Sequence, residues 1–304
     1  MTLSQFLDPK NDLAFKRIFG SEKNKDILIH FLNDIFAGQT SPIETVKFLK
    51  PMQEPEVSSQ RVSIVDIMCE ASNGDHFIVE MQVLHEPGFE KRAQFYAARA
   101  YIDQRQAGIA YKDLKQVIFL AITDFTVFPQ KNGYLSHHHV LDVQTYERDL
   151  KDFSFSFLEL PKFKKKKNQL QTMIDKWAYF FKNAETTKEE DLKKIAESDP
   201  IIWRAFEELN RFKWSSEELR TYNSIDMKIH ADKAIFEGAL IQGKAQGIAE
   251  GKAQGIAEGK AEGKAEGKAE GKAEIARKLI RENYDIQFIA SITDLTVEQI
   301  KKLY

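Results

Sequence analysis

Asp66, Glu80 and Gln82 are polar side chains lodged in two apolar-rich runs, Val62–Ala71 and His76–Leu84. Two carboxylates brought together suit a hard divalent cation, which takes oxygen ligands and keeps several of its waters. Mg²⁺, or another divalent cation such as Mn²⁺ or Ca²⁺, can activate water and stabilise charge on a phosphodiester being cleaved. Gln82 could orient the attacking water or a phosphate oxygen, but an amide is no base at neutral pH. Whether the three converge depends on strand register, because side chains alternate between faces. Asn73-Gly74 between β-branched runs signals a hairpin. A three-residue loop, Asn73–Asp75, pairs Ser72 with His76 and sets Asp66 opposite Gln82 and Met68 opposite Glu80. Asp66, Glu80 and Gln82 then share one face, while Val65, Ile67, Cys69, Phe77, Val79, Met81 and Val83 take the other. A two-residue loop would separate Asp66 from Glu80. Spacing alone also fits ordinary solvated positions, since acidic residues are mostly exposed.

An acidic residue on one strand followed by Glu-x-Gln on the next resembles the PD-(D/E)XK nuclease core. Asn11–Gly20, Phe31-Leu32-Asn33, Glu80-Met81-Gln82, Leu158–Phe163 and the Gly-Lys-Ala-Glu repeats resemble the recombination-promoting nuclease (Rpn) and transposase family. The similarity runs over essentially the whole chain. It implies a metal-dependent DNA endonuclease with Asp66 and Glu80 as metal ligands and Gln82 in the usual lysine slot. It also implies roles in recombination, mobile elements or phage defence. The Lys-to-Gln departure removes a fixed positive charge and bears on catalytic power more than on metal binding.

The net charge of −2 gives no global basic field, so any DNA surface must be local. One cysteine, Cys69, excludes an internal disulfide framework and suits a reducing, cytoplasmic setting. Its strand face marks it as core rather than nucleophile. No apolar run approaches the ~20 residues that a membrane span needs, and no signal pattern opens the chain.

Asp8-Pro9 predicts a helix start. Apolar spacing predicts one helix through Phe19 and a second through Phe36. Asp12 and Lys16, four apart, share a helix face and either border the site and contact phosphate or form a surface ion pair. Val46–Leu49 reads as the first strand, and Phe89–Gln106 as a helix whose Arg92 and Arg99 are candidate phosphate clamps. Solvated surface arginine fits them too. Val117–Ile122 suits a buried strand; Val140–Val143 and Phe153–Leu160 read as further strands. His137-His138-His139 leads into a strand, and adjacent strand residues point to opposite faces, which argues against one shared metal. Lys164 and Lys165, in the densest basic cluster, are candidate phosphate contacts or a solvated loop. From Gln169 to Ala231 the periodicity is helical.

Glycine recurs every four residues from Gly243 to Gly271, filled mostly by Lys-Ala-Glu. Eight glycines would cost a lone helix about 8 kcal/mol relative to alanine. Lysines and glutamates there repeat at like-charge i,i+4 spacing. The tract is therefore a linker, or a helix that needs a partner such as a homodimer or higher homo-oligomer. The expected architecture is α/β: a PD-(D/E)XK restriction-endonuclease-like core over 1–165, a helical extension over 166–238, the repeat tract over 239–274, and a small helix-turn-helix-like tail over 275–304. A catalytically weak DNA-binding accessory and a repeat-driven assembly protein stay open beside the nuclease.

Overall fold

The computed structural model describes residues 4–49, 65–106, 108–196 and 199–303. The chain divides into two units, Met1–Lys233 and Ala234–Tyr304. In the first, six strands form one mixed sheet in the order β1-β2-β3-β4-β6-β5. They are β1 (Val46–Phe48), β2 (Ile67–Ala71), β3 (His76–Gln82), β4 (Val117–Thr123), β5 (Leu135–His139) and β6 (Phe153–Glu159). β1–β2–β3 is an antiparallel meander; β3, β4 and β6 run parallel, so their carboxyl ends meet at one edge of the molecule. Every residue of β4 is buried. Its unbroken apolar sequence, Val117–Ile122, suits a strand covered on both faces.

The hairpin register differs from the expected one by a shift that preserves parity. Glu70 pairs with His76 and Ile67 with Val79, so the loop is Ser72–Gly74 rather than Asn73–Asp75. Gly74 takes the left-handed conformation (φ +89°), and the Asn73 side chain accepts from Asp75 N at 3.0 Å. The turn therefore closes one residue early, with Ala71 N donating to the Asp75 carbonyl at 2.8 Å. The ladder begins at Ile67 opposite Val79, one residue after Asp66, and Met68 lies opposite Ile78, not Glu80. The even shift keeps Glu80 and Gln82 on one face, while Asp66, just before β2, meets Glu80 through side-chain-to-backbone bonds rather than through the ladder. Val65 departs from its expected side and packs with Met68, Ile78 and Phe119. Val62–Ile64 lie outside the described residues.

Two apolar layers sandwich the sheet. On one face, helices α1 (Asp12–Phe19), α2 (Lys25–Ile35), α4 (Met173–Asn183) and α6 (Pro200–Glu208) bury Phe15, Phe19, Phe31, Trp177, Phe180 and Phe181 against one another. Each such side chain contributes about 1.5–3 kcal/mol by burial. On the other face, α3 (Phe89–Gln106) lays Phe89, Ala93, Ala97 and Ala100 on the sheet; the small alanines bring its axis close. α1 starts later than Asp8-Pro9 suggests. Asn11 is its N-cap, accepting from Leu13 N at 3.1 Å, while the Asp8 carboxylate closes a preceding turn onto Lys10 N. α5 (Glu189–Ile195) completes the helical layer.

One expected strand is displaced. The fifth strand is Leu135–His139, so the three histidines lie within it, and Val140–Val143 are non-strand. β5 finds its partner in β6 only as far as His139 opposite Ser154, and Val143 is 86% exposed. His137, His138 and His139 bond separately to Ser156, Ser136 and Gln39.

α7 (Ser216–Arg281) is a single helix that carries the whole glycine tract. α8 (Ile286–Thr293) and α9 (Val297–Lys301) follow, and the Thr296 side chain caps α9 by accepting from Gln299 N. Ala276, Ile289 and Ile300 form the small core of this second unit. Among the described residues no helix is long and apolar enough to cross a membrane.

Candidate active site

Glu80 lies near the end of β3 with 3% of its surface exposed, and Asp66 stands just before β2. Their backbones and side chains interlock. Asp66 N donates to Glu80 Oε1 at 3.0 Å, and Met81 N donates to Asp66 Oδ2 at 2.9 Å. These two bonds aim the carboxylates into one small volume at the sheet's edge. Gln82 extends the cluster: its Nε2 donates to Glu80 Oε2 at 2.8 Å, and its Oε1 accepts from Arg92 Nη2 at 2.9 Å. Arg92 also pairs with Glu86. The Gln82 amide thus links a buried carboxylate to a guanidinium.

From the opposite face α1 contributes Lys16, whose Nζ is 2.7 Å from Asp12 Oδ1 and 3.6 Å from Asp66 Oδ1. Asp12 and Lys16 are both an i,i+4 ion pair and neighbours of the carboxylate cluster. Burial works against the Lys16 ammonium, but the hydrogen bond and charge of Asp12, with Asp66 and Glu80 beyond, raise its pKa.

Burial pushes the Glu80 carboxyl well above the usual carboxylate range, and the charge of Asp66 adds to it against the bonds from Asp66 N and Gln82. Asp66 is also raised, by burial first, with the Asp12 charge adding and Met81 N and Lys16 opposing. A buried pair of carboxyls that resist ionisation together fits a site completed by a cation. Among the described residues no group of three or more His, Cys, Asp or Glu is placed to hold a metal. Asp66 and Glu80 are two carboxylates that could serve a hard divalent cation, which commonly takes one or two carboxylates and fills its shell with water and phosphate.

This coupling has a measurable consequence for stability. A carboxyl whose folded pKa is raised costs stability once it is forced to ionise, so the penalty is absent at low pH. It grows as pH rises from the unfolded value through the raised folded one. Without metal, Glu80→Gln is expected to melt above the unsubstituted protein at pH 8 and level with it near pH 4. Added divalent cation should raise the melting temperature of the unsubstituted protein and leave Glu80→Gln nearly unmoved. Differential scanning fluorimetry with and without chelator at both pH values checks this; equal metal shifts in the two proteins would contradict it.

The other candidate residues divide. Arg99, half-buried, follows Arg92 by seven residues, or about two turns of α3. Lys165 is engaged by the fully buried Asp175, at 2.7 Å and 2.8 Å to its two oxygens. Lys167 pairs with Asp191, and Lys162 with the buried Glu159. Lys164 and Lys166 are exposed. The lysine loop follows β6, whose carboxyl end shares an edge with that of β3. With Tyr179, Lys182 and Asn183 it lines a cavity of about 370 Å³. Burial depresses the Lys182 pKa, Lys164 and Lys10 add to that, and Asp124 opposes them, so these charges share one neighbourhood. Asp124 N in turn donates to the Gln82 carbonyl at 2.9 Å. Sequence reading missed Lys182, Asp124 and Glu86; Lys182 carried a signal, as a lysine one position past the apolar stretch Trp177–Phe181 of α4. Burial pushes the Cys69 thiol up to about 12, so it is core, not nucleophile.

A mixed sheet that gathers acidic side chains where its central strands end is the architecture of the PD-(D/E)XK nucleases. The chain belongs to the PD-(D/E)XK nuclease family transposases, whose family model matches residues 9–237. No curated protein and no solved structure matches it.

Proposed function

We propose that the protein is a divalent-metal-dependent DNA endonuclease that hydrolyses phosphodiester bonds, in the setting of recombination, mobile elements or phage defence. The observation that carries this reading is the interlocked Asp66–Glu80 pair, raised in pKa and joined through Gln82 to Arg92. Asp66 and Glu80 would hold Mg²⁺, Mn²⁺ or Ca²⁺, and the bound ion would supply Lewis acidity and an activated water. Gln82 fixes Glu80 through its amide N–H groups and holds Arg92 beside the site. Arg92 then brings the positive charge that the lysine of the family pattern would otherwise bring, and its guanidinium suits a phosphate. Lys16 and Asp12 border the carboxylates. Lys164, with Arg99, extends the contact to neighbouring phosphates, while Lys165, held by Asp175, and Lys182, donating to the Leu160 and Phe163 carbonyls, serve mainly to anchor the loop. The chain's net charge of −2 makes these local cations the main source of DNA affinity.

The test is plasmid cleavage with Mg²⁺, with and without EDTA, on the unsubstituted protein and on Asp66→Ala. Metal-dependent nicking or linearisation supports the reading. DNA binding without cleavage would favour the second one, a DNA-binding accessory, which the absence of a lysine at position 82 motivates.

The Gln82–Arg92 link makes its own prediction. Gln82→Lys should keep or raise cleavage, because an ammonium at that place meets Glu80 Oε2 directly. Arg92→Ala should lower the rate about 10–100-fold, as loss of an orienting partner commonly does. Rates measured at saturating metal separate the two; complete loss in Gln82→Lys with unchanged melting would show a role specific to the amide.

A further inference from the structure

The glycine tract of α7 is built for contact with something outside the chain. A Cβ added at any glycine from Gly243 to Gly271 meets nothing within 4 Å, so no contact within the chain requires a glycine there. Each still costs about 1 kcal/mol of helix propensity. Ile248 and Ile256 are 63% and 62% exposed on this helix.

The rows of side chains state what the contact is. At 3.6 residues per turn a four-residue repeat drifts about 40° per step, so the glycine row winds around the helix and stays on one contact face only where two helices wind about each other right-handed. Along such a pair glycine faces inward and alanine outward, with lysine on one flank and glutamate on the other. Two helices joined in parallel set the lysine flank of each against the glutamate flank of its partner. Antiparallel joining sets lysine against lysine and glutamate against glutamate. Charge complementarity thus selects a parallel pair.

The departures from the repeat choose the face. Around Gly251 and Gly259 the flanking residues are Glu250 with Lys252, and Glu258 with Lys260. Around Gly247 and Gly255 they are Gln246 with Ile248, and Gln254 with Ile256. From Gly247 onward both charges are kept or both are removed, whereas Gly243 is flanked by Gln242 and Lys244. Around Ala245 and Ala249 they mismatch, as Lys244 with Gln246 and Ile248 with Glu250. Residues two apart on one helix do not face each other, so this matching has no use within a single chain. Across a parallel, in-register pair with glycines inward, each flank meets its match. We infer that the occupant of this face is a second copy of the chain, joined through residues 243–274 in parallel and in register. A repeat of four, longer than 3.6, winds such a pair right-handed. The proposal does not depend on the nuclease reading.

The test uses the full-length chain spin-labelled singly at Gln246→Cys or at Glu270→Cys; buried Cys69 stays unlabelled, which the unsubstituted chain verifies. Parallel pairing predicts short label-to-label distances at both sites, because packed helix axes lie about 8–10 Å apart. The two sites are 24 residues apart, about 36 Å along a helix, so an antiparallel pair cannot be short at both. Long distances at either site, or a monomer at tens of micromolar, overturn the proposal. In sedimentation, Lys264→Glu with Lys268→Glu should weaken the dimer about tenfold or more. Adding Glu262→Lys and Glu266→Lys should restore it. Unchanged association in the double variant would also overturn the proposal.

Discussion

Asp66→Ala or Glu80→Ala is expected to lower metal-dependent DNA cleavage about a thousandfold or more while the protein stays folded. A bound metal is worth several kcal/mol of charge stabilisation at a phosphoryl group, and each 1.36 kcal/mol is tenfold in rate. Either substitution removes one of the two carboxylates proposed to hold the metal. The fold should survive because the lost hydrogen bonds are offset by relief of repulsion between the carboxylates. Asp66→Ala leaves Met81 N unpaired, and Glu80→Ala leaves Asp66 N and Gln82 Nε2 unpaired, at about 1–3 kcal/mol for each buried group. Each also relieves a buried carboxylate of its neighbour's repulsion. Circular dichroism and single-turnover cleavage on the same preparations check both halves. Full activity in either variant, with metal still required, would remove these residues from the site.

That Asp66 and Glu80 come together was legible from the hairpin, since a loop read one residue too late still brings these strand ends side by side. Parity holds for Glu80 and Gln82 within β3 but not before β2, where Val65 takes the other side. The partner of each residue was not legible, because Gly74 decides where the turn closes and two glycine-compatible turns fit the same letters. Lys16 could be read as bordering the site or as paired on the surface; it pairs with Asp12 and also lies 3.6 Å from Asp66, through a contact between α1 and the residue before β2 that no local pattern encodes. The lysine cluster shows the opposite limit. Five basic residues look alike in sequence, yet Lys162 is tied by Glu159 three residues before it, and Lys165 and Lys167 by Asp175 and Asp191 on later helices. The first acid was within reach of a local reading; the other two are brought in by the packing of α4 and α5. The repeat tract was balanced between coil and partnered helix for a thermodynamic reason: propensity and charge rows oppose a helix that only another surface can favour.

Asp175→Ala is expected to cost about 3–5 kcal/mol, as breaking a buried ion pair from one side does. Asp175 is fully buried and accepts from Lys165, from Tyr134 Oη at 2.6 Å, and from the backbone N–H groups of Gln171 and Thr172 at 3.0 Å and 3.1 Å. Burial opposes its charge, but these donors overcome the penalty and hold the carboxyl well below the usual range. A depressed carboxyl contributes stability that is present above its unfolded pKa and is lost as pH falls through the folded one. The deficit of the variant should therefore be full at pH 7 and shrink only in strong acid. Lys165 is 39% exposed and can turn to water when its partner is lost, which puts the cost toward the lower end of that range. For a unit of this size about 3 kcal/mol corresponds to roughly 6–12 °C in melting temperature. The same change frees the loop that carries Lys164 and Lys166, so DNA affinity should fall even where the variant is fully folded, measured well below its melting point. A melting shift under about 2 °C would mean that the aromatic layer around Trp177 fixes α4 without Asp175. Unchanged DNA affinity would mean that the lysine loop contributes no phosphate contact.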